Sequence, residues 1–169
     1  KPLDVIIGPF VLAAIKLTLG QLQEAIHTCE FALKIAAEHG EPMPLGTEDV
    51  YSGISDLHRE QGDLKAAAQD LAICKQLGEQ IELPDWQYRW CNAQARLKQS
   101  LGALDEALDL LVQADQVYVR TPLPDVRPTA AMKARVWIKQ DKLSAAFGWV
   151  HQRGLSVDDE LNFLQEFEH

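Results

Sequence analysis

Apolar and polar positions alternate along this chain on two scales. On the short scale, leucines and alanines recur at i, i+3, i+4 and i+7, the spacing that gathers them on one face of an α-helix. The stretch from Leu101 to Ala114, LGALDEALDLLVQA, shows it with a turn glycine in front. On the long scale that stretch comes back. Gly20, Leu22 and Ala25 reappear in phase as Gly62, Leu64 and Ala67, as Gly102, Leu104 and Ala107, and as Asp141, Leu143 and Ala146, at spacings of 42, 40 and 39 residues. A glycine can take the left-handed φ that stops one helix, and the apolar run then starts another. A period near 40 built this way predicts stacked helical hairpins. The expected fold is all-α, a superhelix of about four hairpins plus a terminal helix.

The hairpins are expected over about residues 4–40, 47–82, 84–120 and 125–153, with the terminal helix over 157–169. Leu22, Leu64, Leu104 and Leu143 should be buried at the hairpin turns. Pro9 falls inside the first apolar pattern, which places the start of that helix close to it. Thr47, followed by Glu48 and Asp49, has the character of an N-cap with acids at the positive helix end. The third helix should reach Gln61 and its return helix about Glu82, ahead of Leu83 and Pro84. The next pair should run to Leu101 and to about Arg120. Residues 121–128 are proline-dense, a stiff linker in which Asp125 caps the following helix. Ser156 is placed to cap the terminal helix, whose stripe of Leu161, Leu164 and Phe167 needs a partner to bury it. That stripe, and a start without methionine, point to a fragment of a larger protein.

Composition narrows the function classes. The 169 residues are 47% hydrophobic and 24% charged, with a net charge of −9, and the 16 Lys and Arg lie scattered among 25 Asp and Glu. With no basic run, direct nucleic-acid binding by this segment is not expected. The longest apolar stretch, Val5 to Ile15, is too short to span a bilayer and is in phase with the first repeat, so it reads as a structural helix rather than a signal and implies no membrane partner. Cys29, Cys74 and Cys91 lack metal-ligand or C-x-x-C spacing; they read as reduced core residues, in keeping with a cytoplasmic setting. His27, His39, His58, His151 and His169 form no H-E-x-x-H pattern, and neither an EF-hand, a G-x-S-x-G nor a phosphate loop occurs. No enzyme activity, cofactor or metal is therefore expected. Asp158, Asp159 and Glu160 suit the first turn of a helix better than a cation site.

The polar inventory of the first helix in each pair carries the candidate site. Asp49, Ser52, Asp56 and Arg59, then Arg89, Asn92, Arg96 and Gln99, then Arg135 fall three to four apart on one stripe, where a superhelix presents its concave wall. Solvated helix surface is one explanation. The other is a groove of carboxylates and guanidinium groups able to hold a polar, anionic or polyhydroxyl effector, or a peptide. Tyr51 and Trp90 are in register to add stacking. The cluster of Trp86, Tyr88 and Trp90, with Trp137 and Trp149, suits either packing between hairpins or a flat ligand.

The small residue of each first helix (Ala13, Ser55, Ala95, Ala134), the turn glycine and leucine, and the alanine of the second helix resemble tetratricopeptide repeats, in a longer version than the 34-residue one. Trp86-Gln-Tyr-Arg-Trp90, Tyr118-Val-Arg120, Pro124-Asp-Val-Arg-Pro128, Ala134-Arg-Val-Trp137, the run from Gly154 to Leu161 and Glu166-Phe-Glu-His169 resemble the sensor region of large MalT-like, LuxR-family ATP-dependent transcriptional regulators. The resemblance implies a bacterial protein with a nucleotide-binding switch module before this region and a DNA-binding helix-turn-helix after it. It implies an effector-sensing role for the repeats. A scaffold that binds a protein segment is the alternative. Asp141 departs from the turn glycine of the other copies.

Overall fold

A left-handed backbone turn marks the middle of every hairpin. Gly20, Gly62 and Gly102 have φ of 75°, 89° and 77°, and Asp141 takes 59° at the equivalent point of the fourth. Aspartate is one of the few side chains that enter this region, at roughly 1–2 kcal/mol. The turn therefore keeps its shape where the glycine is lost. The computed structural model describes residues 2–40, 42–81, 85–118, 128–156 and 158, with backbone alone for 2–7 and 10. Among them are eight helices and no strand: α1 (Pro2–Thr18), α2 (Leu22–His39), α3 (Thr47–Gln61), α4 (Leu64–Gly78), α5 (Asp85–Ser100), α6 (Leu104–Gln116), α7 (Thr129–Lys139) and α8 (Leu143–Arg153). They pair as α1–α2, α3–α4, α5–α6 and α7–α8, the expected all-α superhelix of hairpins.

Small residues set how closely the helices approach, because interaxial distance follows the side chains at the contact. In the second helices these are Ala25, Ala67 and Ala107, all 0% exposed, and Ala146 at 6%. In the first helices they are Ala13, Ser55, Ala95 and Ala134, also buried. Ser55 Oγ donates to the Ala67 carbonyl at 2.9 Å, so its hydroxyl is satisfied inside the contact. Larger apolar residues fill the space around these contacts. Val50, Ile54 and Leu57 of α3 join α1 and α2, Leu71 and Leu97 join α4 to α5, and Leu111, Met132 and Val136 join α6 to α7. The first helices pack on one another, α1 on α3 and α3 on α5, whereas α2 and α4, or α4 and α6, make no comparable contact. Crowding on one side and spreading on the other curves the stack toward the first helices, which form its inner wall.

Several local expectations are corrected. The turn leucines are not buried: Leu22, Leu64 and Leu104 are half-buried and Leu143 is 46% exposed. Each is the first residue of its helix and sits on the hairpin rim, while the alanine three residues later occupies the contact. α1 does not begin near Pro9 but passes through it from Pro2. The ring already favours helical φ, but the helix forfeits the hydrogen bond that the missing N–H would have made and the ring crowds the carbonyl one turn back. Thr47 is not the N-cap; Gly46 is, at φ 92°, and the Thr47 hydroxyl donates to the Pro44 carbonyl at 2.6 Å. The Glu48 carboxylate bends back to accept from the Gly46 N–H at 3.0 Å. α4 stops at Gly78, short of Glu82, where the Trp86 indole lies directly on the glycine. α6 ends at Gln116, before Arg120. Ser156 Oγ accepts from the Asp158 N–H at 3.2 Å, as an N-cap would. The proline-dense linker, its Asp125 and the terminal helix lie outside the described residues.

Candidate ligand groove on the inner wall

Counting back from the turns brings the polar stripe into register. Asp49 and Arg89 share one repeat position; Asp56, Arg96 and Arg135 share a second; Glu60, Ser100 and Lys139 share a third, one helical turn nearer the hairpin end. Because the hairpins stack in phase, equivalent side chains become neighbours across the wall. Arg89 Nη1 donates to Asp49 Oδ2. Arg96 clamps Asp56 with two parallel bonds, Nε to Oδ1 at 2.8 Å and Nη2 to Oδ2 at 2.5 Å. This fork geometry is the strong form of a charge-assisted pair. Burial pulls the Arg96 pKa down, but the Asp56 charge and hydrogen bonds outweigh it and leave the pKa raised. The same balance, with Asp49 as partner, raises Arg89. Arg59 Nη2 bonds Glu60 Oε1 at 2.5 Å, and its Nε lies 3.5 Å from Asp56 Oδ1 without hydrogen-bond alignment.

Beyond these pairs the wall opens. A cavity of about 260 Å³ is lined by Arg59, Glu60, Arg96, Gln99, Ser100, Met132, Arg135 and Lys139. It lies where α5 meets α7 through long side chains, Arg96 Nη1 reaching Met132 Sδ at 3.6 Å, instead of through the close packing of α3 on α5. Of the nine residues singled out from sequence, Arg59, Arg96, Gln99 and Arg135 line this cavity. Asp56 lies behind it, holding Arg96. Asp49, Ser52, Arg89 and Asn92 sit three to four residues or more N-terminal on α3 and α5 and do not line it. Glu60, Ser100, Met132 and Lys139 were missed. Extending the stripe by one helical turn would have found Glu60, Ser100 and Lys139, since they stand four residues beyond Asp56, Arg96 and Arg135. Asn92 is 5% exposed and its Oδ1 is buried without a partner, as is Asp49 Oδ1.

Tyr51, Trp86, Tyr88 and Trp90 serve packing. Trp90 Nε1 donates to the Leu71 carbonyl at 2.9 Å and its ring carries Lys75 at 5.3 Å, so it faces α4 and not the groove. Tyr51 packs against the core of the first hairpins. Neither is a stacking platform, because the α3 and α5 faces they occupy point toward neighbouring helices. Trp86 covers Gly78, and Tyr88 meets Tyr118 edge-on at 5.1 Å. Cys29, Cys74 and Cys91 are buried and free, and burial pushes the thiols of Cys29 and Cys74 up to about 11 and about 12. Among the described residues no three His, Cys, Asp or Glu side chains are grouped to hold a metal ion. No helix among them is long and apolar enough to cross a membrane.

Solved structures share this architecture. The chain superimposes on the kinesin light chain TPR-like repeats of Podosopora anserina with a TM-score of 0.68 at 17% identity, covering 99% of this chain and 83% of that one. BtubC from P. vanneervenii gives a TM-score of 0.68 at 15% identity, covering 96% of this chain and 70% of that one. At such identities the likeness is one of fold. No curated protein sequence matches the chain. The profile of the MalT-like TPR region, however, matches residues 4–169, nearly the whole sequence. With the repeat grammar, the stacked hairpins and that match in agreement, the chain belongs to the MalT-like TPR region family.

Proposed function

We propose that this chain is the effector-sensing repeat region of a LuxR-family transcriptional regulator, binding a small polar ligand on its inner wall. The observation that carries the reading is the cavity between α5 and α7, which gathers four cationic side chains with Gln99 and Ser100 where, among the described residues, neighbouring first helices are not closely packed. A ligand there meets side chains of three hairpins at once, and a ligand that favours one spacing of those hairpins shifts their equilibrium. That shift would be passed to a nucleotide-binding switch module and a helix-turn-helix module joined to the repeats in one polypeptide. The segment itself acts by binding and not by catalysis, in the cytoplasm, and leaves contact with DNA to the helix-turn-helix.

The coding frame tests this directly. A phosphate-loop module upstream and a helix-turn-helix module downstream, in the same frame, are the expected result. A frame without either overturns the regulator reading and leaves a scaffold that binds a protein segment, as helical repeats do.

A further inference from the structure

We infer that the cavity between α5 and α7 is a site for a small phosphate monoester, whose two negative charges are met by Arg135 and Lys139. The inference rests on the ligand-sensing reading above and adds the chemical class. Its basis is the charge order along the wall. At the first cavity position the three hairpins present Asp56, Arg96 and Arg135; at the next they present Glu60, Ser100 and Lys139. Asp56 is taken up by Arg96 and Glu60 by Arg59. The neighbour equivalent to Asp56, one hairpin further back from Arg135, is Arg96, another guanidinium. The ladder that pairs Arg89 with Asp49 and Arg96 with Asp56 thus ends in like charge beside like charge. Arg135 and Lys139 make no ion pair among the described residues, and both are exposed. A chain with a net charge of −9 here keeps two cations, one turn apart on α7, facing into a cavity.

Two unneutralised charges select a dianion. A neutral polyol leaves the cations facing each other, and a monoanion offsets only one. A phosphate monoester carries nearly two charges above pH 7 and has three acceptor oxygens. The planar Arg135 fork matches two of those oxygens, and the Lys139 ammonium acts as a point charge beside them. Gln99 and Ser100 offer uncharged hydrogen-bonding groups for the ester portion. At about 260 Å³ the space falls below the roughly 300–1,000 Å³ of drug-sized pockets, which suits a small metabolite.

The 169-residue chain is titrated calorimetrically at pH 7.5 with inorganic phosphate, glycerol 3-phosphate, dimethyl phosphate and glycerol. Expected are binding of phosphate and glycerol 3-phosphate that weakens with salt, and at least tenfold weaker binding of the monoanionic diester and of glycerol. Arg135→Gln and Lys139→Gln should each weaken glycerol 3-phosphate about tenfold or more. Lys133→Gln, whose parent lysine pairs with Asp115 away from the cavity, should leave it unchanged. Circular dichroism melts confirm that the variants fold. Absence of binding by both dianions, equal binding of the diester, or an equal loss in Lys133→Gln overturns the site. Any of these leaves the regulator reading to the coding frame, which decides it independently.

Discussion

Replacing Gly78 by alanine adds one methyl group at the last residue of α4, where helix propensity alone favours the change by roughly 0.5–1 kcal/mol. The structure reverses that sign. A Cβ built on Gly78 falls within the fused rings of the Trp86 indole, against Cδ2, Cε2 and Cε3. Trp86 is 7% exposed, so its ring cannot swing into solvent and must displace its neighbours instead. Overpacking of this kind costs typically about 1–3 kcal/mol. Set against the propensity gain, Gly78→Ala should be destabilising by about 1–2 kcal/mol, a fall in Tm of a few degrees for a domain of this size. Thermal and urea melts followed by circular dichroism measure it. The control is the same substitution on a Trp86→Leu background, where the rings are gone and alanine should become neutral or stabilising. Because the two residues touch, the coupling between the changes should be large. A higher Tm for Gly78→Ala alone, or an equal loss in both backgrounds, would refute the packing argument.

Ala107→Asp places a carboxylate at a fully buried contact between α5 and α6 and should cost several kcal/mol, read as a large drop in the urea midpoint. Glu48 has its pKa raised, mainly by burial. The folded state therefore binds this proton more tightly than the unfolded state, and the group's contribution to stability falls as pH rises from the ordinary carboxylate range through the raised value. Glu48→Gln keeps an acceptor for the Gly46 N–H but carries no charge. It should be more stable than the parent at pH 7, with the difference shrinking toward zero near pH 3. Cys74, pushed up to about 12 by burial, should react with iodoacetamide at pH 8 far more slowly in the folded chain than in urea; comparable rates would place the thiol outside the core.

Much of the fold could be read from the sequence because each repeat states its own boundaries. The turn glycines and in-phase alanines survive as the left-handed turns and fully buried contacts, and even Asp141 keeps the turn by adopting the conformation glycine would. What could not be read depends on pairs of residues distant in sequence. That Gly78 must lack a side chain follows from the Trp86 ring lying on it, and no pattern within α4 announces that. Leucines at helix starts look like core residues by type, yet rim positions leave them half exposed. The inner-wall stripe was legible as a stripe, because equivalent residues recur at the repeat period. Which arginines are already held by carboxylates became visible only once Asp49 faced Arg89 and Asp56 faced Arg96. The cavity residues Glu60, Ser100 and Lys139 escaped because they lie at the hairpin end, where polar side chains are ordinary.

The way α5 meets α7 gives the superhelix one compliant joint. α1 packs on α3 and α3 on α5, and the α3–α5 step is further tied by the Arg89–Asp49 and Arg96–Asp56 pairs. Across the next step the inner-wall contacts are Arg96 Nη1 to the Met132 thioether and the Tyr88 hydroxyl 3.4 Å from that of Thr129, side chain to side chain without close helix packing. Imposed strain should therefore collect at that step. The first three hairpins should hold their mutual angles more tightly than α7 and α8 hold theirs against α5. A small change of angle at that step would displace the far end of α8 by more than it displaces α7.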